Sequence, residues 1–188
     1  MNQSAPRRIA IACQGGGSHT AFTAGVLKAL LQQQGEVYRI CALSGTSGGA
    51  ICAVLAWYGL LREAQGGWSR AQTLALLDDF WQDNGATLPW EKLWNDWTIN
   101  TIQLMQQGRL PELKSSPYSQ QFMLSSELLT KLAPRKEFFD LRLLLAKYLK
   151  LEAIKQPTLE PRLLIGAVGV LSGTFKAFDS LHSEISID

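Results

Sequence analysis

Charged side chains are scarce in this 188-residue chain, and no block of them carries one sign. Asp, Glu, Lys and Arg together make up 18% of the residues, and the formal net charge is only +2. The basic residues are scattered, whereas binding to a phosphate backbone would need them gathered on one patch. The sequence therefore predicts no nucleic-acid partner.

Cysteine is also rare, and Cys13, Cys41 and Cys52 each lie within an apolar stretch. Their odd number, without a Cys-x-x-Cys spacing, argues against a disulfide framework and against a zinc site. Buried free thiols are predicted instead. No other cluster of metal-ligating residues stands out, so neither a metal nor a cofactor is expected.

Long hydrophobic runs are missing as well. The apolar stretch Ile9–Cys13 is shorter than the core of about 7–15 residues in a signal peptide. The longest apolar stretch, residues 48–61, falls short of the ~20 residues that span a bilayer. We predict a cytoplasmic protein and leave peripheral contact with a membrane surface open.

What the chain does contain is a regular alternation of strand and helix patterns. Short apolar runs at 7–14 and 37–45 predict buried strands, and glycines follow each of them. Helical spacing of apolar residues follows over 18–34, with Ser18 as a plausible cap, and from about residue 48 to 61. The alternation predicts an α/β fold, with a parallel sheet flanked by helices.

The second half of the chain changes character. Residues 69–150 have a mostly helical pattern, which predicts a helical insert or cap within the domain. Strand signals return over 161–180, where two β-prone runs flank residues 171–173 and predict a late β-hairpin.

Tryptophans concentrate in this predicted insert, and three of them share one helical face. Packing of that face on the core is the plainer interpretation. Contact with acyl chains or a bilayer surface is the other. The insert contains Trp81, Trp90, Trp94 and Trp97, and the three that share a face are Trp90, Trp94 and Trp97.

A Gly-x-Ser-x-Gly motif, "GTSGG" at 45–49, lies between the second predicted strand and its helix. Such a turn exposes the serine hydroxyl in a strained backbone conformation, and the flanking glycines let neighbouring chain pass close by. The helix behind it presents free N–H groups to a developing oxyanion. Ser47 is therefore predicted to be a nucleophile, and the alternative is a serine that merely caps the helix.

A second glycine-rich turn, Gly15-Gly16-Gly17, follows the first predicted strand. A dinucleotide fingerprint is ruled out because Thr20 occupies the last glycine position and no acidic residue is suitably placed about 20 residues later. A Walker A loop is ruled out because no Gly-Lys-Ser/Thr follows. What remains is either a nest of N–H groups suited to an oxyanion or a plain tight turn.

Together, "CQGGGSHTAFTAGVLKALL" and "YRICALSGTSGGAICAVLA" resemble the N-terminal half of a patatin-like phospholipase domain. The resemblance is strong over 9–61 and weaker over 161–188. It implies a three-layer α/β fold and a serine hydrolase of lipid acyl esters. It also implies Ser47 as the nucleophile, in a turn formed by Gly45 and Gly49. The implied oxyanion hole consists of the N–H groups of Gly15, Gly16, Gly17 and Gly48.

The chain departs from the family pattern in two places. His19 and Thr20 stand where the family has a basic residue and a glycine, so His19 is either an accessory donor or a surface residue. The family's catalytic aspartate lies in an Asp-Gly segment, and no Asp-Gly dipeptide occurs here. Asp179 and Asp188 lack that context. His182, the only histidine that follows Ser47, is a lone histidine near the C-terminus and is predicted to be incidental.

We therefore expect the general base, an aspartate, beyond residue 188. We also expect a patatin-like domain over 7–188 that is incomplete at its C-terminus, and little or no activity from the chain itself.

The predicted function is that of a phospholipase A or esterase that acts on a lipid or another acyl-ester substrate. Two alternatives are a general serine esterase or thioesterase on soluble esters, and a truncated, non-catalytic domain that binds lipid.

Overall fold

The structure is a computed structural model that describes residues 5–35, 37–85, 88–110, 120, 123–124, 127, 141–151 and 160–182. The chain divides into two compact units. The first combines Met1–Trp81 with Leu145–Asp188, and the second is Gln82–Leu144.

The first unit contains a four-stranded mixed sheet, ordered β1-β2-β3-β4. β1 pairs in parallel with β2, β2 in parallel with β3, and β3 antiparallel with β4. The predicted α/β fold with a mostly parallel sheet is thus confirmed, as is the late hairpin. The strands are β1 (Arg7–Cys13), β2 (Tyr38–Thr46), β3 (Arg162–Val168) and β4 (Phe175–Asp179).

Helices follow the strands as the apolar spacing predicts. The described helices are α1 (Thr20–Gln33), α2 (Gly48–Ala64), α3 (Arg70–Asp83), α4 (Pro89–Gln106) and α5 (Leu141–Tyr148). The prediction that Ser18 caps α1 is wrong. Ser18 lies in a 3-10 turn, Gly17–His19, and α1 begins only at Thr20 without a side-chain cap.

α2 is the central helix of the first unit, and it begins directly after β2, at the carboxyl end of the sheet. It contacts β1, β2, β3 and α1, and its residues 52–61 are all buried. The Trp57 indole N–H donates to the carbonyl of Pro161 at 2.8 Å. Gly59 lies so close to α3 that an added Cβ would sit 2.9 Å from the Cβ of Thr73. This packing leaves α2 little freedom to shift relative to the strands.

The two faces of the sheet differ. Cys13, Leu43 and Leu163 are buried on the face that packs against α2. Ala12 and Ala177 are exposed on the opposite face, which carries mostly small side chains at this end of the sheet.

The cysteines are free, as predicted, with Cys13 and Cys52 buried and Cys41 half-buried. Burial raises the pKa of the Cys13 thiol to about 11 and also raises that of Cys52. Because the thiolate is the reactive form, these two side chains act as small apolar residues of the core.

Of the tryptophans in the predicted insert, Trp97 is 59% exposed, and the side chains of Trp90 and Trp94 lie outside what the structure describes. The two interpretations of that helical face therefore both stand. No helix within the described ranges is long and apolar enough to cross a membrane.

Candidate active site

Ser47 forms the turn between β2 and α2, and its backbone is strained. Its φ is 52° and its ψ is −135°. Among the residues that the structure describes, it is the only non-glycine residue with a positive φ. Such a conformation costs about 1–3 kcal/mol and persists only where the surrounding packing imposes it.

Two glycines impose this conformation by bringing three backbone segments into contact. A Cβ added to Gly45 would lie 2.5 Å from the carbonyl carbon of Gly49 and 2.7 Å from the nitrogen of Ala50. A Cβ added to Gly49 would lie 2.6 Å from the carbonyl oxygen of Gln14 and even closer to that of Cys13. The strand can turn this sharply into α2 only because neither position carries a side chain.

The hydroxyl of Ser47 does not cap α2. The carbonyl of Ser47 accepts the N–H of Ala50 at 2.9 Å, but the side chain makes no capping hydrogen bond. Ser69 shows what capping looks like in this chain, because its hydroxyl accepts the N–H of Gln72. The capping interpretation of Ser47 therefore does not hold, and its exposed hydroxyl is available for another role.

The glycine loop after β1 lies directly against this serine. Cys13 pairs with Gly45 in the parallel register, so both loops leave the sheet at one edge. A Cβ on Gly15 would come within 2.9 Å of the Thr46 carbonyl oxygen and 3.2 Å of the Ser47 Cβ. A Cβ on Gly48 would lie 2.9 Å from the carbonyl oxygen of Gly17.

Both glycine-rich turns carry backbone N–H groups without an acceptor. Within the described part of the chain, the N–H groups of Gly15, Gly16, Gly17, Gly48 and Gly49 donate to no described group. Gly48 is buried, and a buried N–H without a partner is rare. The N-terminal end of α2 adds a positive partial charge at the same place. The arrangement can stabilise negative charge on an oxygen held next to Ser47.

Thr20 is a site residue to which the sequence alone assigned no role. Its buried hydroxyl donates to the carbonyl of Gly17 at 2.6 Å, and its side chain lies against Gly48. It therefore fastens the glycine loop to α2. The signal in the sequence was the threonine itself, which stands where the family has a glycine.

His19 ends the 3-10 turn and is exposed, and its backbone N–H donates to the Gly16 carbonyl at 3.2 Å. Its ring makes no hydrogen bond with any described residue. Both interpretations of His19 remain predictions.

Asp179 and His182 are engaged elsewhere. Arg162 Nε donates to Asp179 Oδ1 at 2.8 Å, a second guanidinium nitrogen bonds Oδ2, and His182 Nδ1 lies 2.7 Å from that oxygen. Hydrogen bonds from Arg162 hold the pKa of Asp179 well below its usual range. In the sheet, Asp179 pairs with Leu164. Two residues after Leu164, Gly166 pairs with Thr46, the residue before the serine. Asp188 lies outside the described residues.

The Arg162–Asp179 pair predicts a loss of stability in acid. Because the pKa of Asp179 is lower in the folded state, its contribution is complete above the unfolded carboxyl pKa of about 3.9 and declines as the pH falls further. Asp179→Asn should therefore lower the free energy of unfolding at neutral pH and make a smaller difference below about pH 3. Urea unfolding at both pH values measures this. A difference that stays constant or grows in acid would contradict it.

No group of three or more His, Cys, Asp or Glu side chains that could hold a metal ion gathers within the described ranges.

A cavity of about 300 Å³ opens next to the serine turn on the sheet face opposite α2. Ala12, Ser44, Thr46, Gly166 and Phe175 are among the residues that line it. Mostly small side chains leave this space open, and its size is at the lower end for ligand sites.

Comparison with known proteins identifies a family. The family model of patatin-like phospholipases matches residues 11–150, more than half of the chain and inclusive of both glycine-rich turns. A search of curated proteins and a search of solved structures each found no match. With its mostly parallel sheet and this match, the chain belongs to the patatin-like phospholipase family.

Proposed function

We propose that the site around Ser47 hydrolyses acyl esters of lipids, with Ser47 as the nucleophile. Family membership supports lipid acyl hydrolysis at the level of the family. The observation that carries the finer proposal is the strained Ser47, whose side chain makes no capping hydrogen bond and whose Cβ lies beside the glycine loop.

In the proposed reaction the Ser47 oxygen attacks the ester carbonyl carbon while a base accepts the hydroxyl proton. The carbonyl oxygen becomes an oxyanion, held by the N–H groups of Gly15, Gly16, Gly17 and Gly48. Collapse breaks the ester C–O bond, and the alcohol portion of the lipid leaves with a proton. Water then hydrolyses the acyl-serine and restores the hydroxyl.

The proposed mechanism needs a base that accepts the Ser47 proton. No carboxylate or imidazole within the described residues is hydrogen-bonded to the Ser47 hydroxyl. We propose, as the resemblance implies, that an aspartate following residue 188 takes the proton. A serine without its base is a weak nucleophile, so hydrolysis by residues 1–188 should be slow.

The cavity beside the turn supports an acyl-chain substrate. Alanine, glycine, leucine, isoleucine and one phenylalanine line much of it, and Thr46 connects it to Ser47. An extended hydrocarbon chain would contact these apolar groups, and Ser44 and Thr46 contribute the only hydroxyl groups of the described lining.

A covalent probe tests the nucleophile even where turnover is slow. With an alkyl fluorophosphonate, the Ser47 oxygen would bond to phosphorus, the P–F bond would break, and fluoride would leave. We expect the label on Ser47 at least about a hundredfold faster than on other serines, since oxyanion donors are worth about 10²–10³ each. Peptide mass spectrometry locates it.

Two variants control this experiment. Ser47→Ala should remove the labelled peptide, and Ser69→Ala should not, because Ser69 caps a helix. Equal labelling of Ser47 and surface serines would reject the nucleophile assignment. Assays with a short soluble ester and with phospholipid vesicles then separate a lipid hydrolase from a general esterase.

Gly15→Ala should slow the labelling of Ser47 about tenfold while the chain still folds. The added Cβ would lie 2.9 Å from the Thr46 carbonyl oxygen, so the loop must move by a few tenths of an ångström and carry its N–H groups with it. Gly16→Ala is the matched variant, because its Cβ would meet no atom closer than 3.8 Å and its loss should be smaller. Equal losses in the two variants would contradict the proposed geometry.

A further inference from the structure

The tip of the β3–β4 hairpin exposes a set of large apolar side chains. Val170 is 97% exposed and Leu171 102%, so both are as open as in an isolated peptide. Val168 and Phe175, at the ends of the two strands, are 60% and 62% exposed. Exposed apolar residues that cluster in this way commonly mark a contact surface.

Backbone hydrogen bonds hold these side chains outward. The N–H of Gly169 donates to the Thr174 carbonyl at 3.0 Å, and the N–H of Gly173 donates to the Gly169 carbonyl at 2.8 Å. Gly173 has a φ of 65°, which a side chain would disfavour. The turn thus presents Val170 and Leu171 at its apex.

The hairpin is almost without charge. Between residues 163 and 178 the chain has no carboxylate, and Lys176 is the only charged residue. An apolar tip with one nearby cation is compatible with a phospholipid surface, which offers a hydrocarbon layer beneath phosphate groups.

The hairpin tip lies at the same end of the strands as Ser47. β3 is parallel to β2, and Gly166 pairs with Thr46, the residue before the serine. β3 runs two residues, about 7 Å, beyond that pair before the turn begins. The tip therefore projects past the edge where the two glycine-rich turns lie.

Phe175 links the hairpin to the site. A Cβ on Gly166 would lie 2.7 Å from the Thr46 Cγ2 and 2.9 Å from ring atoms of Phe175, so both side chains crowd this glycine. Phe175 and Thr46 also line the cavity beside the serine turn. An apolar path thus runs from the tip toward Ser47.

We infer that Val170 and Leu171 insert into the acyl region of a phospholipid surface and seat the Ser47 edge of the sheet on that surface. The inference rests on the proposed function, because it places a lipid substrate within reach of the nucleophile. The proposed membrane contact is the hairpin tip and not the tryptophans within residues 90–97.

Sedimentation with zwitterionic phosphatidylcholine vesicles tests the inference without any turnover. The double variant Val170→Ser with Leu171→Ser should bind vesicles at least about tenfold more weakly, because full burial of one such side chain is worth one to two factors of ten. Binding of the parent chain should change little between low and high salt. Urea unfolding should show unchanged stability, since both side chains are exposed.

Val37→Ser is the matched control. Val37 is 70% exposed and precedes β2, so it lies at the opposite edge of the sheet. Its loss should leave vesicle binding unaltered. Equal binding by the parent chain and the double variant would overturn the inference. So would a dimer that the double variant converts to a monomer with vesicle binding intact, because the tip would then bind a second copy.

Labelling of Ser47 by a short, soluble fluorophosphonate separates this inference from the proposed function. The double variant should be labelled as fast as the parent chain in the absence of vesicles. A loss of vesicle binding together with an unreactive Ser47 would retain the lipid contact and reject the nucleophile. A reactive Ser47 together with unchanged vesicle binding in the double variant would retain the nucleophile and reject the lipid contact.

Discussion

Gly49→Ala is expected to destabilise the first unit by about 3 kcal/mol, a large fraction of the total stability of a typical domain. The added Cβ would lie 2.6 Å from the Gln14 carbonyl oxygen and closer still to that of Cys13. Both are backbone atoms, at the last residue of β1 and the residue after it, so they cannot rotate away as a flexible side chain could. Relief requires α2 or β1 to move, and the buried residues of α2 resist such a shift.

Gly25→Ala provides the control for this prediction. Gly25 lies within α1, and a Cβ there would meet no atom within 4 Å. Alanine has a higher helix propensity than glycine, so this variant should be more stable by about 0.5–1 kcal/mol. Urea unfolding followed by circular dichroism compares the two. A loss at Gly49 below about 1 kcal/mol would show that the turn can relax.

Ser47→Ala is expected to reduce the labelling of the peptide around residue 47 by at least about a hundredfold, because the attacking oxygen is gone. Its stability should stay close to that of the parent chain, since the hydroxyl neither caps α2 nor bonds another described group. Alanine at position 47 would bear the same backbone strain as serine at a φ of 52°.

Ser47→Gly should abolish labelling to the same extent and yet be more stable than Ser47→Ala by about 1 kcal/mol. Glycine adopts a positive φ without the steric cost that alanine bears. Urea unfolding of both variants measures the strain directly, and mass spectrometry measures the label. If Ser47→Gly were the less stable of the two, the turn would not be strained in the way that its φ indicates.

Local pattern was sufficient for much of the fold. The apolar runs and glycines predicted β1, β2, α1, α2 and the late hairpin to within a few residues, because strand and helix periods are properties of neighbouring residues. The boundary at Ser18 was missed for a physical reason. The 3-10 turn and the Thr20–Gly17 hydrogen bond compete with a capping serine, and their stability depends on contact with α2.

Part of the candidate site was also readable from the sequence. The Gly-x-Ser-x-Gly motif and the glycine triplet identified both turns. Ser47 was predicted to be a nucleophile, and a helix cap was the alternative, since both occupy the same position before a helix. The missing capping bond argues against the cap, and the strained φ of Ser47 follows from backbone contacts among Cys13, Gly45 and Gly49.

The sequence by itself determined an α/β domain, through its apolar runs and the glycines that follow them. It also determined the position of two glycine-rich turns, one suited to an oxyanion and the other to a nucleophile. The fold adds the contacts that join them. Gly15 reaches Ser47 across about thirty residues, and Asp179 is held by Arg162 rather than by the serine. The apolar hairpin tip lies at the serine edge because β3, more than a hundred residues after β2, pairs with it in parallel. Strand pairing between distant segments sets such positions, and no local pattern of residues encodes them.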